Sequence, residues 1–279
     1  MRWLVWPVPG SGPRGSDRVV QVKLPCGREL VGSLSDDLTP EEALDLVGRL
    51  TDLKGAYKQF AQFPGHAFAS VVTAWDPERE CTVHFISRAL LFGQSGAVYG
   101  FNRVSKFVTC VATQLASLVV SGFYDDFTQL ELARLAGSAK DTLFEILGLL
   151  GFKVALEPKK NKPFMPVFDV LGVCLDLSGA TRGIIKVGAK PSRRDDIVAE
   201  CRKAIDSKTL ARQDAFSLDG KIRFLREGCF GRCGARALCE IGAHAKSPAG
   251  RLSMQLVLAL EWLVEYLGAA PPRQILCSA

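Results

Sequence analysis

Leu118-Val119-Val120-Ser121-Gly122-Phe123-Tyr124-Asp125-Asp126 is an apolar run that delivers two adjacent carboxylates. The run reads as a strand, and a strand that ends in paired aspartates must expose them at a turn or give them cations. A third carboxylate lies 73 residues upstream, where Asp52 opens the segment Asp52-Leu53-Lys54-Gly55-Ala56-Tyr57. If two strands end near one another in these aspartates, divalent metal is the natural cation, and the pairing points to phosphoryl-transfer chemistry on nucleotides.

The rest of the chain sets bounds on that reading. Its 279 residues are 48% hydrophobic and 23% charged, enough to build one large domain or two modest ones and too apolar for general disorder. The net charge of +6 is unevenly placed: residues 1–150 hold 14 basic and 16 acidic side chains, residues 151–279 hold 21 and 13. An acidic site that binds metal in one half and a polyanion-gripping surface in the other would produce this asymmetry. A solvated basic surface without a partner would produce it too. Nine cysteines sit at irregular spacings, with Cys81, Cys110 and Cys174 inside apolar runs. Reduced thiols in an intracellular compartment, cytoplasmic or nuclear, are therefore expected. Pro7 and Pro9 cut short the first apolar run, so no secretory signal is expected, and no stretch approaches the roughly 20 apolar residues of a membrane span.

Turn and period signals give a provisional element order. Residues 7–17 have the Pro, Gly and Ser content of a leader, and residues 19–24 followed by Pro25-Cys26-Gly27 suggest a short hairpin. Thr39-Pro40-Glu41-Glu42 is a capping-box signature that predicts a helix to about Gly48. Two strands are expected at 71–75 and 82–86. A long helix follows from Ser95 to about Val119, with Val98, Phe101, Val104, Val108, Val111 and Leu115 at helical spacing. The aspartate strand turns and returns through 127–132. A helix over 138–150 ends at Gly151, strands are expected at 152–156 and 167–175, and the pattern becomes helical beyond Arg193, most clearly over 252–267. The fold class is α+β: an antiparallel sheet with helices packed on one face, followed by a mostly helical region.

Five segments in order resemble the reverse transcriptase family, retroelement type. The resemblance covers residues 50–176 well and 190–245 more loosely. Asp52-Leu53-Lys54-Gly55-Ala56-Tyr57 is similar to the first palm motif, and Leu90-Leu91-Phe92-Gly93-Gln94-Ser95 to the opening of the template-contacting helix. Phe123-Tyr124-Asp125-Asp126 resembles the catalytic aromatic-X-Asp-Asp box. Leu150-Gly151-Phe152 with Lys159 and Lys160 resembles the following helix-strand-lysine motif, and Leu171-Gly172 stands where the family has its primer grip.

The resemblance implies an RNA-directed DNA polymerase in which Asp52, Asp125 and Asp126 hold two magnesium ions, with manganese as an alternative. Tyr57 would select deoxynucleotides, Phe92, Gly93 and Gln94 would contact the incoming nucleotide, and Lys159 or Lys160 would meet the leaving pyrophosphate. The implied partners are an RNA or DNA template with its primer and deoxynucleoside triphosphates, with no membrane. The implied domains are a leader and partial fingers-like segment at 1–50 and a catalytic palm at 51–180. A basic thumb-like region at 181–247 and a C-terminal amphipathic helix and tail at 248–279 follow.

Residues 182–236 contain 14 Lys or Arg against seven acids, as a phosphate-gripping thumb would, or as an ordinary charged helical bundle would. Cys229, Cys233, Cys239 and His244 could form a zinc site, but their spacings fit no knuckle and their apolar neighbours suggest helix packing instead. The 51 residues before Asp52 are fewer than a usual fingers region, and Lys23 and Arg28, which match no motif, are candidate basic substitutes. An inactive, truncated retroelement relic that still binds nucleic acid is therefore the alternative function. A polymerase of another template or product type is a third.

Overall fold

The computed structural model describes residues 19–23, 29–33, 39, 42–231, 233–247 and 250–276. Residues 7–17 and Arg28 lie outside them. The first elements are an antiparallel hairpin of β1 (Val19–Lys23) and β2 (Glu29–Ser33), with Gln21 opposite Val31. Backbone contacts divide the chain into two compact units, Met1–Met165 and Pro166–Ala279.

In the first unit the expected capping box forms, with the Thr39 backbone N–H donating to the Glu42 carboxylate at 2.9 Å and the Glu42 N–H to the Thr39 hydroxyl at 3.2 Å. It does not open a helix to Gly48. One 3-10 turn (Glu42–Leu44) gives way to β3 (Leu46–Asp52), because Leu46-Val47-Gly48-Arg49 is buried and takes sheet hydrogen bonds instead. β4 (Val71–Asp76) and β5 (Cys81–Ile86) form the expected two-stranded hairpin. α1 (Ser95–Ala116) stops three residues short of Val119, where Ser117 takes a left-handed conformation (φ 56°). β6 (Val119–Phe123) and β7 (Asp126–Leu132) follow, then α2 (Ala136–Leu149).

The strand order β3-β7-β6 places the return strand in the middle, antiparallel to both neighbours. Phe127 of β7 shares a core with Phe101 and Val108 of α1 and with Leu143 and Leu147 of α2. Gln129 on the same strand donates its amide to the Ala139 carbonyl of α2 at 3.0 Å. The helices therefore meet the face that carries Phe127 and Gln129, and strand alternation puts Asp126, with Asp52 in register opposite it, on the reverse face. Gly122 lets α1 come this close: a Cβ there would fall 2.7 Å from both the Ser105 and Thr109 hydroxyls.

Residues 152–156 form no strand of their own. A single bridge joins Val154 to Leu53 along the free edge of β3. The expected strand over 167–175 is a hairpin of β8 (Val167–Val170) and β9 (Val173–Asp176), turning at Leu171-Gly172. It pairs with β10 (Ile184–Ala189), which pairs in turn with β11 (Arg273–Leu276). Neither of these last strands is expected from the sequence. The hairpin therefore belongs to the second sheet, within the unit that begins at Pro166.

Four helices complete the second unit: α3 (Pro191–Ser207), α4 (Arg212–Leu225), α5 (Ala235–Lys246) and α6 (Met254–Ala269). One core joins them through Ile197, Leu218, Ile241 and Leu260, so residues 248–279 do not stand apart from the helices before them.

Candidate active site

Asp52 ends β3, and Asp125 and Asp126 lie at the turn from β6 into β7. Sheet register sets Asp52 opposite Asp126 and Asp126 opposite Phe123, so three carboxylates meet at one end of the sheet. Tyr124, at the turn, has a φ of 51°, a region that costs a non-glycine residue roughly 1 kcal/mol or more. Its ring meets Phe123 edge-on at 4.7 Å and packs on the core beneath, which offsets that strain.

The electrostatics follow from crowding. Burial raises the pKa of Asp125, as do the Asp52 charge and a hydrogen bond between the two carboxyls, although a bond from its own backbone N–H pulls the other way. Asp126 is pushed up to about 6, first by burial and then by the charges of Asp125 and Asp52. Lys160 Nζ sits 2.5 Å from Asp52 Oδ2 and is the cation that answers them. That hydrogen bond, with the Asp52 charge, raises the Lys160 pKa.

A stability prediction arises here for the metal-free protein. From the ordinary carboxylate pKa near 3.9 up to about 6, folded Asp126 holds a proton that the unfolded chain has released. Stability should therefore fall as pH rises through that window and stay low above it. Asp126→Asn should be the more stable protein at pH 7.5 by about 1–2 kcal/mol, after allowance for solvent screening. Urea unfolding of both proteins at about pH 4 and pH 7.5 in the presence of chelator checks this; an equal change with pH in both would contradict it.

Among the described residues no three His, Cys, Asp or Glu side chains are gathered into a ready-made cage for an ion. Magnesium does not require one, since it is usually held by one or two carboxylates with waters and substrate phosphates filling the remaining positions. Asp52 and Asp125, gathered at the same sheet end with Asp126 adding charge beside them, fit that donor set. Cys229 and His244 are buried, His244 Nε2 meets the Leu210 carbonyl at 2.8 Å, and Cys233 and Cys239 are exposed.

Beside Asp125 lies an open groove of about 1010 Å³ whose walls include Tyr57, Phe60 and Phe92. The Tyr57 ring stacks on buried Phe101 at 4.8 Å and meets Phe92 edge-on at 5.5 Å, while the Asp125 charge and, before it, burial raise the Tyr57 pKa. Phe92 is 88% exposed, and Gly93 beside it has φ 94° with open space where a Cβ would stand. Gln94 does not line the groove. Its amide donates to the Ala69 carbonyl at 2.8 Å, a structural bond that fixes the start of α1. Lys159 makes no ion pair among the described residues, whereas its neighbour Lys160 does.

Three groups at the site escaped the sequence reading. Lys58 and Arg88 line the groove and bring positive charge to it. Gln59 donates to the carbonyls of Lys54 and Lys153 at 2.8 and 2.9 Å and accepts from the Lys153 N–H at 2.7 Å, which stitches the Asp52 turn to the segment after α2. Only the aspartate-to-tyrosine spacing marks that region in the sequence, and it says nothing of which polar neighbour holds the turn.

Leu171 and Gly172 form the β8–β9 turn of the second unit, both with positive φ (48° and 83°). The positive φ favours glycine at 172, where a Cβ would also fall 2.6 Å from the movable guanidinium tip of the Arg193 side chain. That guanidinium lies 4.7 Å from the Phe224 ring centre.

No family model matches this chain, and no curated protein does. Solved structures do. A foamy viral protease-reverse transcriptase in complex with double-stranded DNA is 16% identical with a TM-score of 0.57, covering 91% of this chain and 52% of that one. A second structure of that protein, its dRH form, also with double-stranded DNA, is 16% identical with a TM-score of 0.59, over 91% and 44% of the two chains. In a third, with an RNA/DNA hybrid, the values are 15%, 0.59, 90% and 33%. The chain thus spans about half or less of the length of these neighbours. No helix among the described residues is long and apolar enough to cross a membrane. The chain is similar to these structures in fold, at an identity too low to carry their activity across: it has a reverse transcriptase-like fold of mixed helices and antiparallel sheets.

Proposed function

We propose that this chain is the core of an RNA-directed DNA polymerase, with the first unit as palm and the helices of the second as thumb. The observation that carries the proposal is the meeting of Asp52, Asp125 and Asp126 at one sheet end beside an aromatic groove that also holds Lys58 and Arg88. Bound magnesium would lower the pKa of the primer hydroxyl and neutralise charge on the phosphates. Asp52 and Asp125 would hold it, and Asp126 would add negative charge behind them.

In the reaction, the primer 3′-oxygen forms a bond to the α-phosphorus of a deoxynucleotide, its proton passes to solvent, and the bond from that phosphorus to the β-phosphate bridge breaks. Lys160, already in the field of the carboxylates, stands to meet the charge that builds on pyrophosphate. Tyr57, which lines the groove, would lie beneath the sugar. The basic second unit would hold template and primer through phosphates, as expected of a protein whose neighbours in fold were solved with duplex and hybrid.

A chain that binds nucleic acid and no longer incorporates nucleotides is the second reading, favoured by the Lys160 ammonium that already pairs with the Asp52 carboxylate. Affinity for a hybrid with a chain-terminated primer separates the two. With magnesium present, the matching deoxynucleotide should slow dissociation about tenfold relative to a mismatched one. Equal dissociation with both would select the relic.

A further inference from the structure

The buried face of β3 holds a charge that the proposed chemistry does not use. Arg49 is 1% exposed, and its guanidinium lies 5.1 Å from the Phe144 ring centre and 5.7 Å from that of Phe164. Burial lowers its pKa, and the more distant Asp141 charge pulls it back up. No carboxylate pairs with it among the described residues. Among the described residues Nε and Nη1 have no hydrogen-bond partner, and Nη2 donates to one acceptor, the Asn161 side-chain oxygen, at 3.0 Å. Desolvating a cation for one neutral hydrogen bond is costly, and an apolar side chain of similar volume would fill the space between the two rings at least as well.

The location of Asn161 gives that cost a use. Residues 157–165 run along the free edge of β3, with Gly48 and Met165 exchanging backbone hydrogen bonds at 2.9 and 3.0 Å. The N–H groups of Lys160 and Asn161 both donate to the Glu157 carbonyl, at 2.8 and 2.9 Å, closing a tight turn. From that turn two consecutive side chains reach opposite faces of the sheet edge. Asn161 goes to Arg49 on the helix-covered face, and Lys160 to Asp52 on the other.

We infer that Arg49, acting through Asn161, is a positioning residue for Lys160: it anchors the turn so that the ammonium is held at the carboxylate cluster. The inference rests on the proposed role of the Asp52 site, and the test separates the two. Amide exchange over residues 157–161 should quicken about tenfold in full-length Asn161→Ala and in Arg49→Met, with α1 and α2 unchanged. Single-turnover incorporation should fall about tenfold in both variants through the chemical step, with the half-saturating nucleotide concentration unmoved. Lys160→Ala combined with Asn161→Ala should be no slower than Lys160→Ala alone.

Unchanged exchange in Asn161→Ala would overturn the inference, as would losses that multiply in the double variant. If Arg49→Met fails to fold, Asn161→Ala and the double variant decide. A wild-type chain that extends no primer would remove the polymerase reading while the exchange result still decides whether the turn is anchored.

Discussion

Asp52→Asn and Asp125→Asn are each expected to lower nucleotide incorporation about a thousandfold while leaving the protein folded. Replacing a carboxylate by an amide keeps its shape and takes away the charge that would hold a divalent ion, and stabilisation of developing charge is usually the largest single contribution to a rate. The fold should survive because the aspartates repel one another: Asp52 and Asp125 both raise the pKa of Asp126, so removing either relieves strain in the metal-free state. Single-turnover incorporation alongside circular dichroism and urea unfolding reads both effects. Near-normal extension by Asp125→Asn would remove the metal-site reading, and loss of structure together with activity would remove the claim that the cluster is catalytic and not structural.

The second large effect concerns Tyr57. Its ring is held from below by Phe101 and from the side by Phe92, at centroid distances of 4.8 and 5.5 Å, and cannot easily swing away from the groove floor. A rigid ring at that place would reject the extra hydroxyl of a ribonucleotide sterically. Tyr57→Ala should reduce discrimination against ribonucleotides by about a hundredfold, the order expected of a pocket that excludes one hydroxyl by shape. The ratio of kcat/KM for a ribonucleotide and its deoxy counterpart measures it. An unchanged ratio would remove the sugar-selecting role of Tyr57 and reopen a polymerase of another product type.

Local signals in the sequence led to parts of this structure and misled at others. The β4–β5 hairpin and α1 follow from alternation and helical spacing, and the capping box of Thr39 and Glu42 forms as read. The helix expected after that box is absent, because a capping box satisfies only local N–H groups. Burial of Leu46-Val47-Gly48-Arg49 between β7 and the segment ending at Met165 outweighs it. β11 escaped for a related reason. Its pairing with β10 joins residues some 90 apart, Ile184 with Leu276, and no window along the chain contains both partners.

At the site, the aspartates stand out because a carboxylate pair after an apolar run is chemically odd. Their partners do not. Lys159 and Lys160 are indistinguishable in sequence, and only the turn closed on Glu157 places Lys160 at Asp52. Gln94 looks like a ligand-binding side chain in its motif, and the sequence does not show that its amide donates to the Ala69 carbonyl. Nothing in the sequence singles out Arg49 until its burial between two phenylalanines is seen.

The central claim is that the three aspartates belong to a polymerising site. It is tested most directly by presenting the chain with an RNA template, a DNA primer, magnesium and the one deoxynucleotide that matches the next template base. The expected result is a primer longer by a single nucleotide, pyrophosphate released in equal amount, and loss of both on addition of chelator. Tight, salt-sensitive binding of the same hybrid with no extension at saturating nucleotide, in magnesium or manganese, would contradict it.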